Sequence, residues 1–499
     1  MSRPIRRLLI ANRGEIALRI IRACRELGIE SVAIYSDADT RSRHVRAADR
    51  AARVGPAPAV DSYLDIASVI DAARRTDSDA VHPGYGFLSE NAGFAAACVG
   101  AGLIFVGPPA DAIDRMGSKI AARRLMEQAG VPVVPGRTPD DQSEAGVLAA
   151  AEAIGFPALI KASAGGGGKG MRAAVDRGAA VDAISAARRE AKAAFGDGTL
   201  YVERVIERPR HVEIQVFADR HGNAVHLFER ECSVQRRHQK VIEESPSTAL
   251  TPTLRARMGA AAVAAAHACG YVNAGTIEFL LEGRGEDARF YFLEMNTRLQ
   301  VEHPVTEAVT GADLVRAQMA VAEGRPLPWR QQDLSQRGHA IECRVYAEDP
   351  AAGFLPQAGS LLLYREPAAP GVRIDSGVEE GADVPVQYDP MLAKLIASAE
   401  TRDAACARAA AALRNFPILG VRTNVPFLIR LLGHPAFGKG ALHTTFVDEH
   451  LNDLLSTDAP DEIVRAAARF ATRSSAVATF GAAAPVEDPW TRLEGWGRG

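Results

Sequence analysis

Hydrophobic positions recur along the chain with two alternating periods. A short apolar run at residues 8–11 gives way to the polar turn Asn12-Arg13-Gly14-Glu15. Residues 16–27 then carry Ile16, Ile20, Ala23, Cys24 and Leu27 at helical spacing and stop at Gly28. That period predicts an amphipathic helix, and glycine is favoured just past a helix end. Apolar runs at 31–35, 80–82 and 103–106, with helical stretches between them, continue the rhythm. Strands alternating with helices predict a parallel sheet, here in a first domain over 1–115.

A helix is expected around 111–130, then a Pro-rich turn at 131–136. The stretch to about 200 reads helix, strand, glycine-rich loop, strand, helix. A larger α+β region runs to about 325 and holds two strand pairs, 211–218 with 224–231 and 276–281 with 290–295. Residues 327–337 are polar and rich in Pro and Gln, as a linker would be. Residues 338–447 read as short strands with a helix over 401–415. A tail follows from 448. No internal repeat is visible. The fold class is therefore a multidomain chain, α/β first and α+β after.

Composition narrows the picture. The 499 residues are 47% hydrophobic and 24% charged, as in an ordinary globular protein. Net charge is −3, from 58 basic and 61 acidic residues, which argues against nucleic acid or an anionic membrane as partner. No run of about 18 uncharged apolar residues predicts a membrane-spanning helix. The basic N-terminus has too short an apolar run for a signal peptide, so a cytoplasmic location is expected. Cys24, Cys98, Cys232, Cys269, Cys343 and Cys406 are scattered without a Cys-x-x-Cys pair. They read as reduced, mostly buried thiols.

Three segments carry chemistry. The first is Lys161-Ala162-Ser163-Ala164-Gly165-Gly166-Gly167-Gly168-Lys169-Gly170-Met171-Arg172. Four consecutive glycines let backbone N–H groups turn toward an anion, and the basic residues add charge. No Gly-Lys-Ser/Thr ending makes it a Walker A loop. Gly165, Gly167 and Gly170 do satisfy Gly-x-Gly-x-x-Gly, but residues 171–175 read as a strand where a Rossmann turn needs a helix. A hairpin closing over phosphates fits better.

The second segment runs from Glu294 to Pro304. On an extended chain Glu294, Asn296, Arg298, Gln300 and Glu302 share one face, with Met295, Leu299 and Val301 on the other. Glu278 lies in the preceding apolar strand, where a carboxylate needs a cation or hydrogen bonds. Were the two strands neighbours, Glu278, Glu294 and Asn296 would form an oxygen-rich cluster suited to Mg²⁺ or Mn²⁺. The third segment, from Glu229 to Glu244, packs acidic and basic side chains between apolar strands; a charged surface loop is its plain alternative.

These three segments resemble biotin carboxylase, an ATP-grasp enzyme, together with His82-Pro83-Gly84-Tyr85-Gly86-Phe87-Leu88-Ser89-Glu90-Asn91 and Gly338-His339-Ala340-Ile341-Glu342-Cys343-Arg344. The resemblance runs from about residue 5 to about 447. It implies an N-terminal parallel-sheet (pre-ATP-grasp) domain over 1–115 and an ATP-grasp domain over 116–325, with a lid at about 135–204. A C-terminal biotin carboxylase domain would cover 338–447. In this family ATP and bicarbonate give carboxyphosphate, whose carboxyl group passes to N1′ of biotin on a carrier protein.

By resemblance, Lys119 and Lys161 contact ATP phosphates, and Gly165, Gly166, Gly167 and Gly168 form the lid hairpin. Glu203 through Ile206 reads adenine, with His211, Gln235, His238 and Leu280 nearby. Glu278 and Glu294 bridge the metal ions, two Mg²⁺ or Mn²⁺, beside Asn296. Arg298 binds bicarbonate, Gln300 and the Val301 backbone orient it, and Glu302 removes its proton. Lys240 holds carboxyphosphate, and Arg344 stabilises the biotin enolate. Tyr85 and Phe87 are read as ordering a turn, and Cys232 and Cys343 as packing residues.

The implied partners are a biotin carboxyl carrier protein and carboxyltransferase subunits, because the chain contains neither a Met-Lys-Met motif nor room for a carboxyltransferase domain. A homodimer is implied as well. The expected role is the first half-reaction of an acyl-CoA carboxylase, with acetyl-CoA carboxylation and fatty acid synthesis one setting. A split pyruvate carboxylase is the alternative, and a nicotinamide-dependent oxidoreductase is the remote one. A non-catalytic nucleotide-binding regulator would be expected to lack Arg298, Glu302 or Lys240. The 448–499 tail has a helical stretch at 461–473 and places Trp490 and Trp496 in its last ten residues, which suggests a docking segment for partner subunits.

Overall fold

The computed structural model describes residues 3–163 and 170–455. The expected parallel sheet is present, with strands β1 (Arg7–Ile10), β2 (Glu30–Ser36), β3 (Arg50–Gly55), β4 (Ala80–His82) and β5 (Ile104–Phe105) in the order β3-β2-β1-β4-β5. All four pairings are parallel. Side chains of β1 alternate between two cores. Leu8 and Ile10 face one that includes Ile16 and Ile20, while Leu9 packs with Val32, Ile34 and Phe94 on the other side. Helix α1 (Gly14–Leu27) ends where the pattern predicts: Gly28 takes φ 68° and its N–H donates to the Arg25 carbonyl.

After helix α2 (Ala92–Gly100), the stretch read as one helix around 111–130 is two, α3 (Ala110–Gly117) and α4 (Lys119–Gln128). Ser118 leaves the helical region at ψ 116°, and its side chain caps α4 by accepting from the Ala121 N–H. Ser caps favourably, and this cap interrupts an apolar pattern that runs through it. The break makes Lys119 the first residue of α4.

A small sheet, β6 (Gly136–Arg137), β7 (Ala158–Ala162), β8 (Met171–Ala174) and β9 (Leu200–Arg204), packs with helices α5 (Glu144–Ile154) and α6 (Arg177–Phe195) around its own core of Val147, Ile160, Ile184 and Val202. Strands β7 and β8 pair antiparallel on either side of the glycine loop, as a hairpin requires. Gly165, Gly166, Gly167 and Gly168 themselves lie outside the described residues. So do Trp490, Trp496 and the 461–473 helix expected in the tail.

The largest sheet is antiparallel: β10 (Arg210–Ala218), β11 (Ala224–Arg236), β12 (Gln239–Ser245), β13 (Asn273–Glu282), β14 (Arg289–Asn296), β15 (His339–Tyr346), β16 (Val372–Ser376) and β17 (Met391–Ala399). Its order is β14-β13-β10-β11-β12-β15-β17-β16. The sheet thus continues across the 327–337 linker, because β12 pairs with β15. Helix α7 (Pro252–Ala268) covers one face through Leu254, Met258 and Ala262. The β11–β12 hairpin turns on Arg237 and His238, at φ 48° and 66°. Helices α8 (His303–Thr310) and α9 (Arg402–Arg414) follow β14 and β17. Among the described residues, no helix is long and apolar enough to cross a membrane.

Left-handed backbone at Gly28 makes a clean test. Gly28→Ala places a Cβ in a strained conformation and should cost about 1 kcal/mol. Gly100 ends α2 with open space around its missing Cβ and no positive φ. Thermal melts should show Gly28→Ala lowering the unfolding midpoint while Gly100→Ala does not; equal midpoints would sink the cap assignment.

Candidate active site

The antiparallel register assembles the site. Glu213 on β10 pairs with Glu278 on β13, which pairs in turn with Glu294 on β14. Three carboxylates on adjacent strands repel, so a cation is required. Lys240, at the start of β12, supplies it for Glu213 and Glu278. Its Nζ donates to Glu213 at 2.6 Å, Glu278 at 2.9 Å and Glu302 at 2.6 Å. Gln235 is buried opposite Lys240 in the hairpin register.

Glu302 is fully buried. Besides Lys240, it accepts from Arg344 Nη2 at 3.0 Å, and Arg344 Nε donates to Glu243 at 2.6 Å. Burial alone would raise the Glu302 carboxyl. Lys240, Arg344 and Arg230 outweigh it and hold Glu302 well below the usual carboxylate range, hence ionised. Burial pushes Glu243 up to about 7, with Arg344 opposing and Glu302 adding to the rise.

Strand β14 ends at Asn296, and residues 297–302 turn into α8. The five polar side chains of the 294–302 segment therefore do not continue along one strand face. Leu299, completely buried in the core with Ile16 and Ile20, draws the loop down, and Pro304 sits in the first turn of the helix. Hydrogen bonds bring the side chains together instead. Arg298 donates to Glu90 Oε2 at 2.9 Å, Gln300 Oε1 at 2.9 Å and Asn296 Oδ1 at 3.1 Å. Gln300 and Asn296 both donate to Glu278 Oε1, at 3.2 and 2.8 Å.

The two lysines expected at the phosphates stand close enough to repel each other. Lys161, on β7, is 3% exposed and bonds Glu203 at 2.9 Å. Lys119 starts α4, and its ammonium is lowered by burial and then by the charge of Lys161. A buried cation beside a cation is short of negative charge, so phosphate oxygens fit there. The Glu203 side chain is engaged by Lys161 and Arg123, and its backbone is paired in the sheet between Leu159 and Gly136. Ile206, Leu280, Val134 and Tyr291 form an apolar patch from four segments. His238 stands exposed in the hairpin turn.

A divalent cation fits the carboxylate rung. Glu278 is held far below the carboxylate range, burial being outweighed by Lys240 and His211, whose Nε2 lies 3.1 Å away. Glu294 is raised by burial and then by Glu278. Both polar atoms of Asn296 are engaged by Glu278 and Arg298. Next to this rung, Arg298, Val301 and Arg344 line a cavity of about 450 Å³ with Tyr85, Phe87 and Tyr388. Tyr85 bonds Glu15, and Phe87 stacks on Tyr63 at 4.9 Å, so both order a turn and border the cavity.

Three family models cover most of the chain. "Biotin carboxylase, N-terminal domain" matches residues 4–113, "Carbamoyl-phosphate synthase L chain, ATP binding domain" 118–330, and "Biotin carboxylase C-terminal domain" 342–449. Biotin carboxylase 1 of Bacillus subtilis is 51% identical over 446 residues, covering 89% of this chain and 99% of that one. The chain belongs to the biotin carboxylase family. The α subunit of mitochondrial methylcrotonoyl-CoA carboxylase from Oryza sativa subsp. japonica is 52% identical over 91% of this chain, which spans only 61% of that protein's length. Among solved structures, the biotin carboxylase domain dimer of Hydrogenobacter thermophilus 2-oxoglutarate carboxylase, in complex with MgADP, ADP and bicarbonate, matches at a TM-score of 0.87 and 42% identity, over 91% of this chain and all of that one.

Sequence reading passed over several partners that this biotin carboxylase fold brings to the site: Glu90, Glu213, Glu243, Glu15 and Lys394. Glu213 and Lys394 carried the signal that flagged Glu278, a charge inside an apolar strand. Cys232 and Cys343 are buried free thiols raised well above the usual range by burial.

Lys240→Met would leave Glu213, Glu278 and Glu302 without their shared cation, a loss of about 3–5 kcal/mol at neutral pH. Because the folded Glu278 and Glu302 lie below their ordinary values, that stabilisation is full above the usual carboxylate range and is lost as pH falls from there through the lower folded values. Urea unfolding of both proteins should therefore show a gap that is full above about pH 5 and narrows as pH falls below about 4. A gap independent of pH would contradict the shared-cation arrangement.

Proposed function

We propose that this chain carboxylates biotin with ATP and bicarbonate, through carboxyphosphate, as the first half-reaction of an acyl-CoA carboxylase. The observation that carries the reading is the ionised Glu302, buried between Lys240 and Arg344 beside the Arg298 cavity. Lys119 and Lys161 bind the phosphates, and the apolar patch around Ile206 and Leu280 receives the base. Glu278 and Glu294 would hold Mg²⁺ or Mn²⁺, which neutralises phosphate charge when bound. Arg298 orients bicarbonate by charge-assisted hydrogen bonds, with Gln300 and the Val301 backbone. Glu302 takes the bicarbonate proton, leaving an oxygen nucleophile. Lys240 holds the carboxyphosphate charge. Arg344, anchored by Glu243, stabilises the enolate oxygen of biotin once its N1′ proton has gone to the released phosphate.

The biotin is presented by a carrier domain outside these residues, and a carboxyltransferase passes the carboxyl group on. Likeness to methylcrotonoyl-CoA carboxylase α subunits at 49–52% identity supports an acyl-CoA acceptor. The dimer of the Hydrogenobacter structure supports a homodimer, and six free cysteines support a cytoplasmic setting.

One assay decides the half-reaction. ATP hydrolysis by the Mg²⁺-loaded protein should depend on bicarbonate and rise with free biotin. Arg344→Ala should cut the biotin-stimulated rate by about 10²–10³ while nucleotide affinity, read by calorimetry, changes little. Biotin stimulation that survives in Arg344→Ala would remove that residue from the mechanism. No bicarbonate dependence in the unaltered protein would refute the whole reading.

A further inference from the structure

Residues 297–302 belong to no strand or helix, so something outside the loop must fix its backbone. Glu90 holds the Thr297 N–H at 3.0 Å, and two further side chains hold consecutive carbonyls. His303 Nδ1 lies 2.8 Å from the Gln300 carbonyl oxygen, which the His303 N–H also approaches at 3.3 Å. Lys394 Nζ donates to the Val301 carbonyl at 2.8 Å. Both side chains are fully buried. A carbonyl accepts only from a donor, so the His303 proton sits on Nδ1; its Nε2 lies 4.0 Å from Glu307 and makes no hydrogen bond among the described residues. Burial, followed by the charges of Lys394, Arg19 and Arg373, holds the ring neutral. Asp375 works the other way but is outweighed.

The consequence follows from peptide geometry. Both peptides are trans, so each N–H points opposite to its carbonyl. With the Gln300 and Val301 carbonyls drawn back, the N–H groups of Val301 and Glu302 are turned forward. Neither donates to a protein acceptor among the described residues. They sit at the N-terminal end of α8, where the helix dipole favours an anion. Val301 borders the cavity with Arg298.

We propose that His303 and Lys394 are positioning residues for the bicarbonate subsite, holding two consecutive carbonyls back so that two N–H groups face the anion. The inference rests on the bicarbonate reading above. Lys394 reaches Val301 from β17, whose register sets it opposite Arg344. Its other partners are Asp375, at 4.0 Å and held also by Arg373, and Glu15, at 3.1 Å, which in turn bonds Tyr85. One buried ammonium thereby ties the loop to α1 and to the wall of the cavity.

The test separates anion positioning from mere structural support. His303→Leu removes one carbonyl anchor. Lys394→Met combined with Glu15→Gln removes the other without stranding a buried carboxylate. In each, the bicarbonate KM should rise about tenfold, while the ATP KM stays within about twofold. His303→Asn, whose side-chain amide can still donate to the Gln300 carbonyl, should recover most of that loss. Each carbonyl has its own variant, so a misfolded one leaves the other readable by circular dichroism and kinetics. Unchanged bicarbonate KM in the folded variants overturns the inference, as does a parallel rise in both KM values. If the unaltered protein shows no bicarbonate-dependent turnover, the functional reading falls and this inference with it. If that dependence is present and the folded variants leave it untouched, only this inference falls.

Discussion

Glu302 lies completely buried, with the Lys240 ammonium on one oxygen and the Arg344 guanidinium on the other. An isolated carboxylate there would take up a proton, so the site exists only while both cations are in place. Each cation is itself anchored: Lys240 on Glu213 and Glu278, Arg344 on Glu243. Residues from four strands and the loop before α8 are thus bound into one charge network. Charges this deep are costly to bury, and the network lowers the cost by satisfying nearly every member.

That constraint explains the continuity of the large sheet. The ligands of Glu302 come from β12 and β15, which lie on opposite sides of the linker in sequence and are neighbours in space. Pairing of Glu243 with Glu342 across this junction fixes where Arg344 stands, two residues along on the same face. Glu342 is completely buried, and burial raises its carboxyl well above the usual range, so it is held as the neutral acid. A cooperative unit spanning residues 210–399 follows from this pairing, more than from the boundaries that composition suggests.

Much of this was legible in the sequence. The period-3.6 stretch ending at Gly28 and the apolar runs of the parallel sheet need only local chemistry, and both appear where the pattern puts them. The Glu278–Glu294 rung was also legible, because a charge in an apolar strand demands a partner. The break at Ser118 was not: its cap is worth about 1 kcal/mol and hides inside a continuous apolar period. Nor was the end of β14 at Asn296. There the polar alternation persists while Leu299, pulled into a distant core, turns the chain. Partners such as Glu90 and Lys394 lie 208 and 93 residues from the groups they hold, a separation no local pattern encodes.

The strength of Glu302 in its proposed role as a base depends on the same network. Bound as it is, its low proton affinity makes it a weak base. Lys240, Arg344 and Arg298 are also the cations an incoming anion would use. An anion that draws on Lys240 and Arg344 loosens their hold on Glu302 and adds its own negative charge nearby. Both effects raise the affinity of the carboxylate for a proton. The base is therefore quiet while the site is empty and gains strength as the proposed substrate arrives. Buried cations shared between a carboxylate and an anion couple proton transfer to binding without any moving part.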